Sequence, residues 1–323
     1  MTEAPALYPI WTNAAPEGIA ATTATTPDGV VLRAATLRPA GARGTVVILG
    51  GRGDFIERYF ETMVELAARG LAVAAFDWRG QGGSQRQADG GPVPVVTDFS
   101  AYDTDLETVM KQVVLPDCPP PYYALAHSMG GPILIRAVAL HNWFERAMTT
   151  GPLIGFMPGL LPDRLGRLTI SGLRYGGMAG AFLPGRKRGS LKTDAFEGNP
   201  LTSDETRWHR DFDTLDQHPS IESPGPRIGW IHGALQATSR LQAQAAGLHL
   251  TCPVMAVAAG MDRLVDNRAL FRLARNLHGL SVVVIPEARH EILTEADGVR
   301  AQFWAAFDAF TGLAAPPARQ DAA

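Results

Sequence analysis

The chain has 323 residues, of which 46% are hydrophobic and 19% charged, and a net charge of −3. That composition can bury a sizeable core, and without a basic excess it excludes a protein held to nucleic acid by phosphate contacts. Two cysteines, Cys118 and Cys252, each beside a proline, exclude a disulfide framework and a Cys-x-x-Cys metal site, and read as reduced structural residues.

The N-terminal segment MTEAPALYPIWTNAAPEG has no basic stretch leading into an apolar one, so no signal peptide is expected. No uncharged apolar run reaches the ~18 residues of a membrane span. The expectation is a cytoplasmic chain, at most peripheral at the inner membrane face. Thr22–Thr26 and Val30–Leu37, joined by Pro27-Asp28-Gly29, read as a hairpin, so the sheet starts antiparallel. Short apolar runs bounded by Gly, Pro or Asp then read as buried strands at Thr45–Leu49, Leu71–Phe76, Tyr122–Ala126, Ala147–Thr150, Val254–Ala258 and Ser281–Ile285. Helix-period segments lie between them at Tyr59–Arg69, Ser100–Val114, Gly131–Leu140 and Asn267–Leu277. The first shows an apolar stripe of Phe60, Met63, Val64 and Ala67 and a closing Gly70. This alternation predicts an α/β fold, a mostly parallel sheet with helices on both faces.

From Pro152 to about Arg227 the alternation stops. The segment is rich in Leu, Met, Phe, Gly and Pro and too long for an ordinary loop. Residues 152–227 therefore read as an inserted cap between two core parts, 1–151 and 228–313, and residues 314–323 as a Pro/Ala-rich disordered tail. A cap would cover the carboxyl ends of the strands, where open α/β sheets bind ligands.

The stretch YYALAHSMGGPILI holds the strongest chemical signal. A buried strand runs into Ser128, and a helix follows at once, as in a nucleophile elbow. Such a turn needs small residues two positions either side, here Ala126 and Gly130; Ala126 departs from the usual glycine by one methyl. A serine needs a base, and the base an orienting acid. In the order Ser, Asp, His, Asp262 follows the strand ending at Ala258 and His290 the strand ending at Ile285, both at the sheet edge of Ser128. Asp266 precedes a helix and reads as an N-cap. His127 adjoins Ser128, but its side chain should point away; His209, His218 and His249 follow no core strand.

The stretch VVILGGRGDFIERY permits three readings. The dinucleotide fingerprint fails because Ile56 stands where the last glycine belongs, and no lysine follows for a phosphate loop. The Arg52-Gly53-Asp54 adhesion tripeptide would need an exposed loop on a secreted protein. The remaining reading is a turn whose glycines leave backbone N–H groups free to hold a transient negative charge.

At GGRGDFIERY, FDWRGQGGS, AHSMGG with GMDRLVD, and RHEIL, the chain resembles α/β-hydrolases of the monoacylglycerol lipase and lysophospholipase L2 type, the serine aminopeptidase S33 or Hydrolase-4 group. These segments span residues 50 to 293. The resemblance implies an eight-stranded sheet, no metal or organic cofactor, and hydrolysis of esters with one long acyl chain. It also implies an oxyanion hole from the N–H groups of Arg52 and Met129. Members usually carry His-Gly where this chain has Gly50-Gly51. FDWRGQGGS is given no catalytic role and is expected to shape a pocket wall.

The expected activity is a serine hydrolase acting on lysophospholipid or monoacylglycerol. The alternatives are a carboxylesterase or thioesterase for small soluble substrates, a peptidase using Asp204, Glu205, Asp211 and Asp213, and a non-catalytic ligand-binding member of the fold. Cap residues Met157, Leu160, Leu161, Leu165, Leu168, Leu173, Met178, Phe182 and Leu183 form an apolar supply. Met157, Leu160 and Phe182 represent the expected acyl-chain contacts. Arg186–Arg188, in GRKRG, would give transient contact with an anionic membrane surface.

Overall fold

The computed structural model describes residues 5–313 apart from 89–90, 93–94, 158–163 and 183–194. Eight strands pair into one sheet: β1 (Ile19–Thr25), β2 (Val31–Leu37), β3 (Thr45–Leu49), β4 (Ala72–Phe76), β5 (Tyr122–His127), β6 (Phe144–Thr150), β7 (Val254–Ala259) and β8 (Leu280–Ile285). Their spatial order is β1-β2-β4-β3-β5-β6-β7-β8. The pairs β1–β2 and β2–β4 are antiparallel and the rest parallel.

Helices cover both faces: α1 (Phe60–Ala68), α2 (Ser100–Val109), α3 (Gly130–Leu140), α4 (Arg164–Leu173), α5 (Glu205–Gln217), α6 (Ile228–Gln244), α7 (Asn267–Asn276) and α8 (Asp297–Thr311). Successive strand side chains point to opposite faces. Val46 and Ile48 therefore join a core with residues of α1 and α8, while Val47 and Leu49 join a second with α2, α3, α6 and α7. Every residue of β3, β4 and β7 is buried, which is why these strands, Thr45 apart, are continuously apolar rather than alternating. The predicted segments are found with shifted ends. β6 begins at Phe144, and the segment after Ser100 leaves α-helical geometry at Met110, widening into a π-helical turn to Val114.

Between β6 and α6 the chain leaves the sheet. α4 packs on α6. α5, capped by the Asp204 carboxylate on the Arg207 N–H at 2.8 Å, seats on the loop after β3. There Trp208, Phe212 and Leu215 of α5 form a small core with Phe55, Leu201 and Ile221. Leu160, Leu161, Leu183, Arg186–Arg188 and the tail from residue 314 lie outside the described residues. No helix among the described residues is long and apolar enough to cross a membrane.

Candidate active site

Ser128 is the only non-glycine residue among those described with a positive φ, +46°. That left-handed turn costs on the order of 1–3 kcal/mol and is over-determined by its surroundings. The Ser128 N–H donates to the Thr150 carbonyl at 3.0 Å, and the Ser128 carbonyl accepts from Gly131 at 3.0 Å and Leu153 at 2.9 Å. A Cβ at Gly130 would lie 2.4 Å from the Leu49 carbonyl oxygen, so β3 packs directly against the turn and admits glycine alone. The turn lifts the serine hydroxyl off the end of β5.

The structure brings Ser128, Asp262 and His290 into one line. His290 Nε2 lies 3.0 Å from Ser128 Oγ, and His290 Nδ1 lies 2.7 Å from Asp262 Oδ2. The other Asp262 oxygen accepts from the N–H groups of Leu264 at 2.8 Å and Val265 at 3.0 Å. Burial alone would raise the Asp262 carboxyl, but His290 and these N–H groups outweigh it and hold it below its ordinary range. His290 and Asp262 are both buried. Such a line can carry a proton from hydroxyl to imidazole while the carboxylate stabilises the charged ring. Asp266 caps α7 through the Arg268 N–H at 3.0 Å, as its position predicts.

The glycine turn after β3 sits against Ser128. A Cβ at Gly51 would lie 2.9 Å from His127 Cδ2 and 3.2 Å from Ser128 Cβ. A side chain at Gly50 would meet Asp54 at 3.1 Å and Tyr59 at 3.6 Å, which accounts for glycine at this position. Asp54 is 6% exposed, so Arg52-Gly53-Asp54 is no adhesion loop. Its carboxylate instead holds the turn, accepting from Gly51 N–H at 2.5 Å and the Tyr59 hydroxyl at 2.6 Å. The Gly53 N–H donates to Gln81 of FDWRGQGGS at 2.6 Å. No described residue accepts a hydrogen bond from the N–H of Arg52 or of Met129. FDWRGQGGS owes Gly82 and Gly83 to a buried pair: a Cβ at Gly82 would lie 2.2 Å from Asp77, and one at Gly83 2.5 Å from Arg33.

Sequence reasoning missed a second, buried network behind the serine. His127 points away from Ser128, with Nδ1 3.2 Å from the Thr150 carbonyl oxygen and Nε2 2.9 Å from Glu291. Arg58 joins Glu291 at 3.2 Å to Asp54 at 2.7 Å and Asp211 at 2.8 Å. Burial would raise Glu291, but Arg58 and His127 hold it well below its ordinary range. Burial would lower His127, yet Glu291 holds it above. Glu291 is adjacent to His290 and His127 to Ser128, so RHEIL and AHSMGG each carry one residue facing the chemistry and one facing this network. No spacing rule connects the network's five members. His127, His290 and Glu291 offer donor atoms within 4.8 Å of one another. Those of His290 already face Ser128 and Asp262, and Glu291 balances Arg58 and His127, so the cluster reads as charge compensation.

Two cavities open beside the Arg52 side chain. The smaller, about 70 Å³, lies between Arg58, Asp211 and Glu291 and the apolar residues Phe55, Trp208 and Phe212. The larger, about 440 Å³, runs past Arg79, Arg86 and Arg227 to Tyr102 and Trp230; FDWRGQGGS supplies part of its wall, as expected. Met157 and Phe182 line neither cavity. Met157 donates its N–H to the Leu264 carbonyl at 3.0 Å, and Phe182 lies under the Arg227 guanidinium. Asp204 pairs with Arg207 one helical turn away, and Asp211 with Arg58 of the buried network.

Comparison with known proteins agrees with this architecture. The chain is 29% identical to lysophospholipase L2 of Escherichia coli over 286 residues, 84% of this chain and 82% of that one. It is 26% identical to the monoglyceride lipase of Rattus norvegicus over 249 residues, 76% of this chain and 74% of that one. In structure it superposes on a soluble variant of monoglyceride lipase from Saccharomyces cerevisiae with a TM-score of 0.70 at 20% identity, covering 95% and 99% of the two chains. Residues 40–297 match the family described as serine aminopeptidase, S33; with its eight-stranded, mostly parallel sheet, the chain is an α/β-hydrolase and belongs to that family.

Proposed function

We propose that this protein is a serine carboxylic-ester hydrolase for lipids with one acyl chain, a lysophospholipid or monoacylglycerol. One observation carries the reading: the line from Asp262 through His290 ends on a hydroxyl held in a strained turn. The lysophospholipase and monoglyceride lipase names of its relatives support the substrate class.

In the proposed reaction His290 takes the Ser128 proton as Oγ attacks the ester carbonyl. The Arg52 and Met129 N–H groups hold the oxyanion, each worth about 3 kcal/mol of barrier. His290 then protonates the leaving alcohol, Asp262 keeps the imidazole in its required tautomer, and water releases the acid from the acyl-enzyme. Residues 152–227 act as the cap over this site, with Met157, Leu160 and Phe182 as acyl-chain contacts. Transient contact with a lipid surface through the cap is supported by the exposed side chains of Leu168, Tyr175 and Met178.

The test is covalent labelling of Ser128 by a fluorophosphonate probe, together with p-nitrophenyl ester turnover. Both are expected in the native chain and lost in Ser128→Ala; retained turnover in that variant would falsify the reading. Acyl-chain profiling then decides substrate size, because a preference for short chains favours the small-ester carboxylesterase.

A further inference from the structure

The larger cavity carries unbalanced positive charge. Four arginines line it, Arg52, Arg79, Arg86 and Arg227, and none of its described lining residues is acidic. Arg79 is neutralised by Asp28 at 2.6 Å and Asp105 at 2.7 Å. The other three have no carboxylate partner within 4.0 Å among the described residues. Their guanidinium groups donate instead to backbone carbonyls: Arg52 to Pro224, Arg86 to Gly82 at 2.8 Å and Glu222 at 2.5 Å, and Arg227 to Gly180 at 3.0 Å. A carbonyl satisfies a donor without cancelling its charge; Asp77 and Glu222 offset Arg86 in part from farther away, and the charges of Arg52 and Arg227 remain.

One more donor faces no partner. Ser223 Oγ makes no hydrogen bond among the described residues, although Ser223 is only 6% exposed and lines the cavity, whereas the ring N–H of Trp230 beside it turns to Tyr102. Burial without a counter-ion lowers the Arg52 guanidinium to about 10. A buried donor without an acceptor is costly, and partly buried cations without anions gain from an anion that completes them. A single small anion with several acceptor oxygens would complete both, and planar guanidinium groups match phosphate oxygens in particular.

We propose that this cavity binds the phosphate group of the substrate, so that the ester hydrolysed is that of a lysophospholipid. The inference rests on the hydrolase reading above and selects within it. Arg52 links the two sites: its backbone N–H is the candidate oxyanion donor, and its side chain reaches the cavity. The ester carbonyl and the phosphate would thus be separated by about the reach of one arginine side chain, comparable to the glyceryl spacer of a lysophospholipid. A monoacylglycerol presents hydroxyl groups but no anion to this charge.

The experiment is calorimetric titration of the full chain carrying Ser128→Ala, which binds without turnover. The probes are a short-chain lysophosphatidylglycerol, the monoacylglycerol of the same acyl chain, and inorganic phosphate. The lysophospholipid is expected to bind at least about tenfold tighter than the monoacylglycerol. Arg86→Gln and Arg227→Gln, each checked for an unchanged melting temperature, should erase most of that preference, and Arg86→Lys should restore part of it. Equal affinities, or a preference that survives both glutamine substitutions, overturn the proposal. Inorganic phosphate binding as tightly as the lysophospholipid, and lost on the same substitutions, reassigns the cavity to free phosphate and overturns the headgroup assignment. An unreactive Ser128 with the lipid preference intact would instead sink the hydrolase reading alone.

Discussion

His127 and His290 lie with ring centroids 4.9 Å apart and turn to different carboxylates. His290 places Nδ1 2.7 Å from Asp262 and Nε2 3.0 Å from Ser128. His127, although next to Ser128 in sequence, has its ring between Thr150 and Glu291. Neighbouring residues at a strand end point to opposite sides, so the histidine nearest in sequence is out of reach, and the one that reaches Ser128 arrives from β8. The two rings set up different expectations for substitution.

For the His127–Glu291 pair the expected signature is in stability against pH. Glu291 is held below its ordinary range, so its contribution is present above its unfolded pKa and lost as pH falls through the folded value. His127 is held above its ordinary range, so its contribution is full below its unfolded pKa and lost as pH rises through the folded value. Together they stabilise most between about pH 4.3 and 6.5. Glu291→Gln should cost about 1–3 kcal/mol near pH 6 and less at pH 9, by denaturant unfolding at each pH. Equal losses at both would mean that His127 is neutral in the fold.

In the proposed reaction His290 accepts the Ser128 proton, and Asp262→Asn should then lower kcat by about 10⁴ while KM stays close to native, because an amide cannot hold the required tautomer. Steady-state kinetics on a p-nitrophenyl ester measure it. A loss below tenfold would remove Asp262 from the mechanism.

Gly51→Ala introduces a methyl 2.9 Å from His127 and 3.2 Å from Ser128. The turn must shift, and the Arg52 N–H shifts with it. The expected result is a fall in kcat of about 10² with Ser128 still labelled by a fluorophosphonate. Unchanged kcat would show that this turn does not hold the oxyanion.

Arg33 pairs with Glu57 and Asp77, each at 2.7 Å, and all three are almost fully buried. Arg33→Met leaves two uncompensated carboxylates and should destabilise by about 3–5 kcal/mol. Lys111 pairs with Glu107 at 2.5 Å on the surface, and Lys111→Ala should cost at most about 1 kcal/mol. Thermal unfolding of both variants checks the contrast, which fails if the two shifts in Tm are alike.

Much of the site is local enough to read in the chain. The Ser128 elbow follows from a buried run, a small-residue frame and a helix that starts at once. The loops of Asp262 and His290 follow from strands recognisable by composition. The fold class follows from alternation. The segment 152–227 is harder, because it lacks a period shared with the core. Of its expected acyl contacts, Met157 and Phe182 line neither cavity, and Leu160 lies outside the described residues. The apolar wall beside Arg52 comes from Trp208 and Phe212 on α5, a helix whose polar sequence hides its buried face.

By itself the sequence determined where strands, turns and the elbow fall, since steric limits on φ and ψ and the alternation of apolar residues act over a few positions. Only the tertiary structure decided which charges meet. Arg58 gathers Asp54, Asp211 and Glu291, while Arg52, Arg86 and Arg227 are left facing a cavity without a described carboxylate. Charge compensation depends on distance in space rather than in sequence, and it is settled when the sheet and the segment that follows β6 close around the same residues.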